Sequence, residues 1–163
     1  MAKYVSGVKY TTVQAFPGAT VSRLQSKILS QKASIDFKYT ILLIGTNDIS
    51  SSLSVGEIIS LFENLVTIIR SRSSTKLIIS GIIPRPCDLQ TDPTESRVKS
   101  VNKELKELCK RRHIQFLHTF RIFLHKNKPI RSYFAVNDGG LHLNSEGTRR
   151  LRLFFINAVS HLK

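Results

Sequence analysis

Short apolar runs alternate with longer segments of helical periodicity along this chain, and no other feature restricts its fold as strongly. Residues 39–44, 76–83 and 113–117 are apolar runs with the length of strands that are covered on both faces. Segments with apolar residues at intervals of three and four lie between these runs. Alternation of this kind predicts an α/β fold with a parallel sheet. Because 163 residues suit one domain with a sizeable core, we expect a single domain over residues 1–163.

The other segments complete the predicted order of elements. Residues 11–16 are rich in β-forming side chains and predict a further strand, and Ser54 with Glu57 has the form of a capping box. The predicted helices cover residues 20–30, the segment from 54 to 69, residues 94–112 and residues 145–162. Residues 120–136 have no clear period, so we expect a long loop that includes a short helical piece.

The composition is typical of a globular protein, with 41% hydrophobic and 22% charged residues. No apolar run approaches the roughly 20 residues of a membrane-spanning helix, and no signal-peptide core follows Met1. The two cysteines, Cys87 and Cys109, favour a reducing compartment or simple core packing. We therefore expect an intracellular, cytoplasmic protein without a membrane partner, and its oligomeric state stays open.

Positive charge is concentrated in the C-terminal half of the chain. The formal net charge is +14, and residues 97–163 hold 15 Lys and Arg against 4 Asp and Glu. Such asymmetry has two interpretations, and the sequence alone leaves both open. One is a solvated basic surface without a partner. The other is an interface for a nucleic acid, RNA or DNA, although no RNA-binding signature accompanies it.

Four residues have the chemistry of an acyl-transfer site. Asn47 follows the first apolar run, and its uncharged amide suits the stabilisation of a developing oxyanion. Gly18 precedes a predicted helix and lets a backbone N–H approach such an oxyanion. His142 lies in a Gly-rich loop with Asp138 four residues before it, and a base histidine needs such a carboxylate to orient its ring. Taken one at a time, each of the four also fits an ordinary turn or helix-capping role.

The motifs that hold these residues recur in a known order. They are F-P-G-A-T at 16–20, G-T-N-D at 45–48, S-G-I-I-P-R at 80–85 and D-G-G-L-H-L-N-S-E-G at 138–147. This ordered set resembles the SGNH (GDSL-like) hydrolase superfamily, and within it the retroelement-type esterase domains of invertebrates and fish. The resemblance covers essentially the whole chain.

The resemblance implies both a fold and an activity. The fold is a flavodoxin-like, three-layer α/β/α arrangement whose five parallel strands have the order 2-1-3-4-5. The activity is serine acyl transfer on a small carboxylic ester, without a metal or an organic cofactor. By this resemblance His142 and Asp138 match the catalytic base and its partner, and Gly18 and Asn47 match the oxyanion hole.

The chain departs from this family pattern in two places. The Gly-Asp-Ser block is absent, so we expect a truncated domain that lacks the nucleophilic serine and the first strand. Such a chain is a pseudoenzyme candidate without ester turnover. The family spacing also puts the orienting carboxylate three residues before the histidine, where Gly139 stands instead of Asp138. The alternative function is a non-catalytic, basic binding module for RNA or DNA on the same fold.

Overall fold

The structure, a computed structural model, describes residues 11–86 and 92–161. Its helices are α1 (Val21–Leu29), α2 (Thr46–Ile49), α3 (Val55–Arg72), α4 (Asp92–Arg111), α5 (Thr119–Ile122) and α6 (Ser145–Ser160). Its strands are β1 (Tyr39–Leu42), β2 (Lys76–Ser80), β3 (Gln115–Leu117), β4 (Leu124–His125) and β5 (Lys128–Pro129), and a 3-10 helix spans Arg131–Tyr133. Cys87, and Leu162 at the end of the last predicted helix, lie outside the described residues.

The central sheet consists of β1, β2 and β3, parallel and in that order. Its register places Ile41 beside Ile78, and Ile79 beside Phe116. Parallel neighbours need a crossover connection, and α3 and α4 supply the two that this sheet requires. The predicted α/β class with a parallel sheet in a three-layer α/β/α architecture is therefore confirmed.

Residues 11–16 take no part in this sheet, so the strand predicted there is wrong. In the strand order implied by the family resemblance, this segment pairs with strand one alone. Among the described strands, none lies on the outer edge of β1, where strand one belongs. An extended segment without a neighbour forms no hydrogen-bonded ladder, and β-forming side chains cannot replace that neighbour.

The larger hydrophobic core, here called the main core, joins the sheet to α1, α3 and α4. It comprises twenty buried residues: Val21, Leu24, Ile28, Ala33, Leu42, Ile49, Ile58, Phe62, Leu65, Val66, Ile69, Leu77, Ile79, Ile82, Val98, Val101, Leu105, Leu108, Cys109 and Ile114. The helix residues among them recur at the three- and four-residue intervals that give a helix one apolar side. The predicted capping box begins α3, because Ser54 accepts from the Glu57 amide while the Glu57 carboxylate accepts from the Ser54 amide.

A smaller group of apolar residues, here called the second cluster, is contributed mainly by the C-terminal part of the chain. Its buried members are Ile83, Phe123 and Phe134, and the partly buried residues around them are Ile122, Tyr133, Leu143 and Leu151. The residues on either side of Phe134 pair with the segment before α6, since Ala135 N donates to His142 O over 2.8 Å and Asn144 N donates to Tyr133 O over 3.0 Å. The second cluster therefore supports the loop that carries His142.

The segment 120–136 is more regular than predicted. α5 is the expected short helical piece, but β4 and β5 form an antiparallel hairpin that the sequence did not indicate. Two residues connect these strands, Lys126 with φ 47° and Asn127 with φ 63°. Positive φ at both central positions is the backbone of a type I′ turn, which matches the twist of a tight hairpin.

Candidate active site

Gly18 occupies the third position of a tight turn just before α1. Ala19 N donates to Phe16 O over 3.0 Å, Pro17 fills the second position, and Gly18 has φ +67°. This is the geometry of a type II turn, in which proline sets the first central residue and glycine tolerates the positive φ of the next. Gly18 is exposed, and its N–H has no acceptor within the described part of the chain. The N–H is therefore open to a ligand.

Asn47 lies in α2, directly after the carboxyl end of β1. Gly45 starts α2 with φ +106°, and a Cβ at that position would lie 2.8 Å from Ile82 Cδ1 and 3.2 Å from Phe62 Cζ. The backbone can therefore turn sharply against the main core only with glycine there. Asn47 is exposed, and its Nδ2 donates to Ala19 O over 2.9 Å. Because an asparagine amide has two N–H groups, one donor is left for a ligand.

Asp48 reinforces this contact, a role that sequence reasoning missed. Its side chain is buried, and both carboxylate oxygens accept from Val21 N, over 3.1 and 3.3 Å. Burial raises the pKa of Asp48, although the hydrogen bond from Val21 opposes that shift. Together, Asn47 and Asp48 bind residues 19 and 21 and so hold the Gly18 turn beside α2.

Arg85 fixes the other side of α2 and was also given no role by sequence reasoning. Its Nη1 donates to Thr46 O over 2.8 Å and to Ser50 Oγ over 2.6 Å. Arg85 belongs to the loop that follows β2, so this contact ties the carboxyl ends of two neighbouring strands together. Ligands in open α/β sheets bind beyond such strand ends, which is where these residues lie.

His142 and Asp138 form a hydrogen-bonded pair in the loop before α6. The distance from His142 Nδ1 to Asp138 Oδ2 is 2.7 Å. Asp138 also accepts from the amides of Gly140 and Leu141, each over 3.0 Å, and of His142 over 3.2 Å. The hydrogen bond with the His142 side chain is the main reason that the pKa of Asp138 is below its usual value. An ionised carboxylate accepts the Nδ1 proton, which leaves Nε2 as the free basic nitrogen.

Two glycines explain how Asp138 reaches His142 from the irregular spacing of four residues. Gly139 has φ +69° and Gly140 has φ +93°, so the loop folds back on itself between the two side chains. Gly140 is also buried against Pro86, because a Cβ there would lie 2.7 Å from Pro86 Cβ. Pro86 follows Arg85 in the loop after β2. The same loop thus contacts both the Asn47 helix and the His142 loop.

The nucleophile expected of the family has no candidate within the described residues. The His142 ring has Asp138 as its hydrogen-bond partner there, and no serine hydroxyl lies within bonding distance of it. Ser80 is buried, with its Oγ 2.6 Å from Thr119 Oγ1. Ser50 is bonded to Arg85. Neither serine hydroxyl forms a hydrogen bond with His142.

No group of three or more His, Cys, Asp or Glu side chains in residues 11–86 and 92–161 has an arrangement that holds a metal ion. No helix in the same part of the chain combines the length and the apolar character that crossing a membrane requires. Of the predicted site residues, Asn47 lies against the turn that contains Gly18, and Asp138 contacts His142.

Comparisons with known proteins bear on the family and the fold of this chain. The sequence profile of the GDSL-like lipase/acylhydrolase family matches residues 2–150. No curated protein sequence matches the chain. Several solved structures, including the following three, share its fold at low sequence identity. One is a GDSL-like lipase from Bacteroides thetaiotaomicron, with 14% identity, a TM-score of 0.72, and coverage of 90% of this chain and 73% of that chain.

The other two structures come from animals. The OSK domain of Drosophila Oskar has 15% identity and a TM-score of 0.75, and the match covers 88% of this chain and 72% of that chain. The esterase domain of the ORF1 protein from the zebrafish ZfL2-1 retrotransposon has 24% identity and a TM-score of 0.54, with coverage of 89% and 85%. At these identities the structures show a shared fold.

Proposed function

The chain belongs to the GDSL-like lipase/acylhydrolase family, and from this premise we propose that its site serves the hydrolysis of carboxylic esters by a serine nucleophile. The observation that carries the proposal is the 2.7 Å contact between His142 Nδ1 and Asp138, next to the strand ends that hold Asn47 against the Gly18 turn. This is a base with its orienting carboxylate, and two donors for an oxyanion.

Each of the four residues has a defined role in the proposed reaction. His142 Nε2 takes the proton of the serine hydroxyl as the oxygen attacks the ester carbon. Asp138 stabilises the imidazolium that forms and keeps Nδ1 protonated. The Gly18 N–H and the Asn47 amide donate to the oxyanion of the tetrahedral intermediate. The intermediate loses the alcohol, which takes its proton from His142, and water then releases the acid by the same steps.

The substrate and the activity of this chain are also part of the proposal. We propose a small carboxylic ester as the substrate class, and no ester turnover by these 163 residues alone. The support for this is that no hydroxyl in residues 11–86 and 92–161 contacts His142, so within these residues the oxyanion donors and the base have no nucleophile to activate. A chain extended at its N-terminus by a strand ending in Gly-Asp-Ser should then be an active esterase.

The test is the hydrolysis of p-nitrophenyl acetate by both chains. We expect the 163-residue chain to match the buffer rate and the extended chain to exceed it. In the extended chain, His142→Ala should reduce kcat roughly 10⁴-fold or more, and Asn47→Ala roughly 10²- to 10³-fold. His161→Ala is the matched control, because His161 is exposed at the end of α6. Turnover by the 163-residue chain that depends on His142 would overturn the proposed inactivity.

A cytoplasmic location is the last part of this proposal. Cys109 is a free, buried cysteine, as is common in reducing compartments. Burial raises the pKa of its thiol to about 12, so it is unreactive in the folded chain. Cell fractionation with a tagged chain tests the location, and recovery with membranes or in the medium would contradict it.

A further inference from the structure

A basic surface lies beside the His142 loop. Six exposed cations, here called the basic surface, come from α5, the hairpin, the 3-10 helix and α6: Arg121, Lys126, Lys128, Arg131, Arg149 and Arg150. Residues 118–161 contain one further cation, Arg152, and two acidic residues, Asp138 and Glu146. These two carboxylates against seven cations leave residues 118–161 with a formal charge of +5.

Arg150 joins the elements that carry these cations. Its Nε donates to Ile122 O over 2.7 Å, and its Nη1 donates to the Tyr133 hydroxyl over 3.2 Å. The guanidinium also lies 5.0 Å from the centre of the Tyr133 ring. α6 is thereby held against α5 and the 3-10 helix, the elements that contain Arg121 and Arg131. The cations of three elements therefore belong to one continuous part of the molecule.

Most of the basic surface has no acidic partner. Arg149 pairs with Glu146 over 2.7 Å. In the part of the chain that the structure describes, Arg121, Lys126, Lys128 and Arg131 make no salt bridge. The electrostatic environment agrees with this: burial lowers the pKa of His118, and the cations Arg121 and Lys106 lower it further. A group of like charges without counter-ions raises the local concentration of anions.

The apolar residues of this region indicate which kind of polyanion fits. None of the six Phe and Tyr residues in 118–161 is exposed, so these residues provide no platform for stacked bases there. The exposed large apolar residues of the region are Val136 and Leu153, on different elements. A peripheral membrane site needs a continuous apolar face below its cations, and single apolar residues are ordinary surface. These observations favour contacts between the cations of the basic surface and phosphate groups.

From these observations we propose that the basic surface binds the phosphodiester backbone of a nucleic acid, independently of base sequence. The hairpin contributes Lys126 in its turn and Lys128 in β5, and the remaining cations come from α5, the 3-10 helix and α6, which Arg150 holds together. Binding neutralises phosphates and releases their counter-ions, so it weakens steeply as salt increases. The proposal is independent of the esterase proposal, because it uses none of Gly18, Asn47, Asp138 or His142.

The test is a fluorescence anisotropy titration of the 163-residue chain with an end-labelled, 20-nucleotide single-stranded RNA. Titrations at several salt concentrations from 50 to 200 mM give the salt slope, and a second RNA of the same length and different sequence gives the sequence dependence. The variant is Lys126→Asn with Lys128→Gln, since asparagine suits the positive φ at position 126. We expect Kd near 100 mM salt to rise about 10- to 30-fold and the slope to fall by about 1.4 in magnitude.

The matched control removes two exposed lysines elsewhere, Lys32→Gln with Lys38→Gln, which changes the net charge equally. It should leave the salt slope nearly unchanged, and near-ultraviolet circular dichroism should show both variants folded. Absence of RNA binding at 50 mM salt, a flat salt response, or equal losses in variant and control would each overturn the proposal. So would binding to vesicles of phosphatidylserine and phosphatidylcholine in the absence of RNA binding, which would make this a membrane surface.

Discussion

Two hydrophobic clusters support the two halves of the candidate site, and they differ in size and in what holds them together. The main core contains twenty buried residues and carries the Asn47 half, since Gly45 packs against Phe62 and Ile82. The second cluster contains three buried residues and carries the His142 half. There, much of the support comes from hydrogen bonds. Asn144 Nδ2 donates to Ser132 O and Phe134 O, over 2.8 and 3.2 Å.

This difference indicates how each half responds to perturbation. Apolar burial in the main core is shared by many residues, so we expect the Asn47 half to open only when the whole domain unfolds. The second cluster buries few side chains, and several of its hydrogen bonds are partly exposed. Regions of that kind open locally at lower free energy. We expect the His142 half to be the more easily disturbed part of the site.

The largest effect should come from emptying each cluster in turn. Phe62 and Phe123 are both fully buried, the first in the main core and the second in the second cluster. Phe62→Ala should lower the global free energy of unfolding by about 3–5 kcal/mol, because it leaves a cavity in a rigid core. Phe123→Ala should mainly accelerate amide hydrogen exchange in residues 118–161. Equal acceleration in β1 and β2 would show that the two clusters unfold as one unit.

A second comparison uses two helical glycines. A Cβ at Gly147 in α6 would overlap the carbonyl oxygen of Tyr133, whereas at Gly56 in α3 it would meet nothing within 4 Å. Gly147→Ala should cost about 1–3 kcal/mol, because α6 must move away from the 3-10 helix. Gly56→Ala should be neutral or stabilising by up to about 1 kcal/mol, through the better helix propensity of alanine.

Thermal unfolding measures both glycine changes. NMR chemical shifts of His142 report whether the loop moves with α6 in the first variant. If the His142 shifts were unchanged in a destabilised Gly147→Ala chain, the position of the His142 loop would not depend on the packing of α6. That result would contradict the support that we attribute to the second cluster.

The same division separates what the sequence predicted from what it missed. The three sheet strands and the helices α1, α3 and α4 were predicted because the main core imposes a regular apolar pattern on them. The hairpin was missed because its tip, Lys126–Asn127, has positive φ without the glycine that usually signals such a turn. The strand predicted over residues 11–16 was wrong because a strand needs a neighbouring strand to pair with, and side-chain composition does not reveal whether one is present.

The candidate site shows the same limit. Ordered motifs placed Gly18, Asn47 and His142 in a family pattern, and their catalytic roles stay predictions. The contact of Asp138 with His142 depends on positive φ at two glycines, so counting residues could not establish it. The contacts of Asp48 and Arg85 join segments that are 27 and 39 residues apart in sequence, a separation at which local patterns carry no information.

Helix capping provides a third and smaller comparison. Ser54→Ala should cost about 1 kcal/mol, since it removes the acceptor for the Glu57 amide in α3. Asn144→Ala removes the acceptor for the Gly147 amide in α6 and also two donors to the 3-10 segment. It should therefore cost about 1 kcal/mol more than Ser54→Ala. Urea unfolding measures both, and equal losses would mean that the Asn144 donors contribute nothing to stability.

The smallest effects should be in the titration of one carboxylate from each half. Burial raises the pKa of Asp48 above 3.8, and the hydrogen bond with His142 lowers the pKa of Asp138 below it. The raised pKa means that ionised Asp48 reduces stability at neutral pH, and this cost disappears as pH falls through its folded pKa. The lowered pKa means that Asp138 contributes stability above about pH 3.8, which is lost as pH falls through its folded pKa.

Carboxyl carbon chemical shifts, followed by NMR from pH 2 to 7, give the two pKa values directly. Asp138→Asn should reduce the stability that the protein loses as pH falls below about 3.8. His142→Ala should move the pKa of Asp138 back towards 3.8. Asp48→Asn should remove the decrease in stability that ionisation of Asp48 causes as pH rises above 3.8. Its side-chain oxygen still accepts from Val21 N, while the buried charge is gone. If Asp48 titrated below Asp138, burial would not dominate the pKa of Asp48, and the proposed contrast between the Asn47 half and the His142 half would fail.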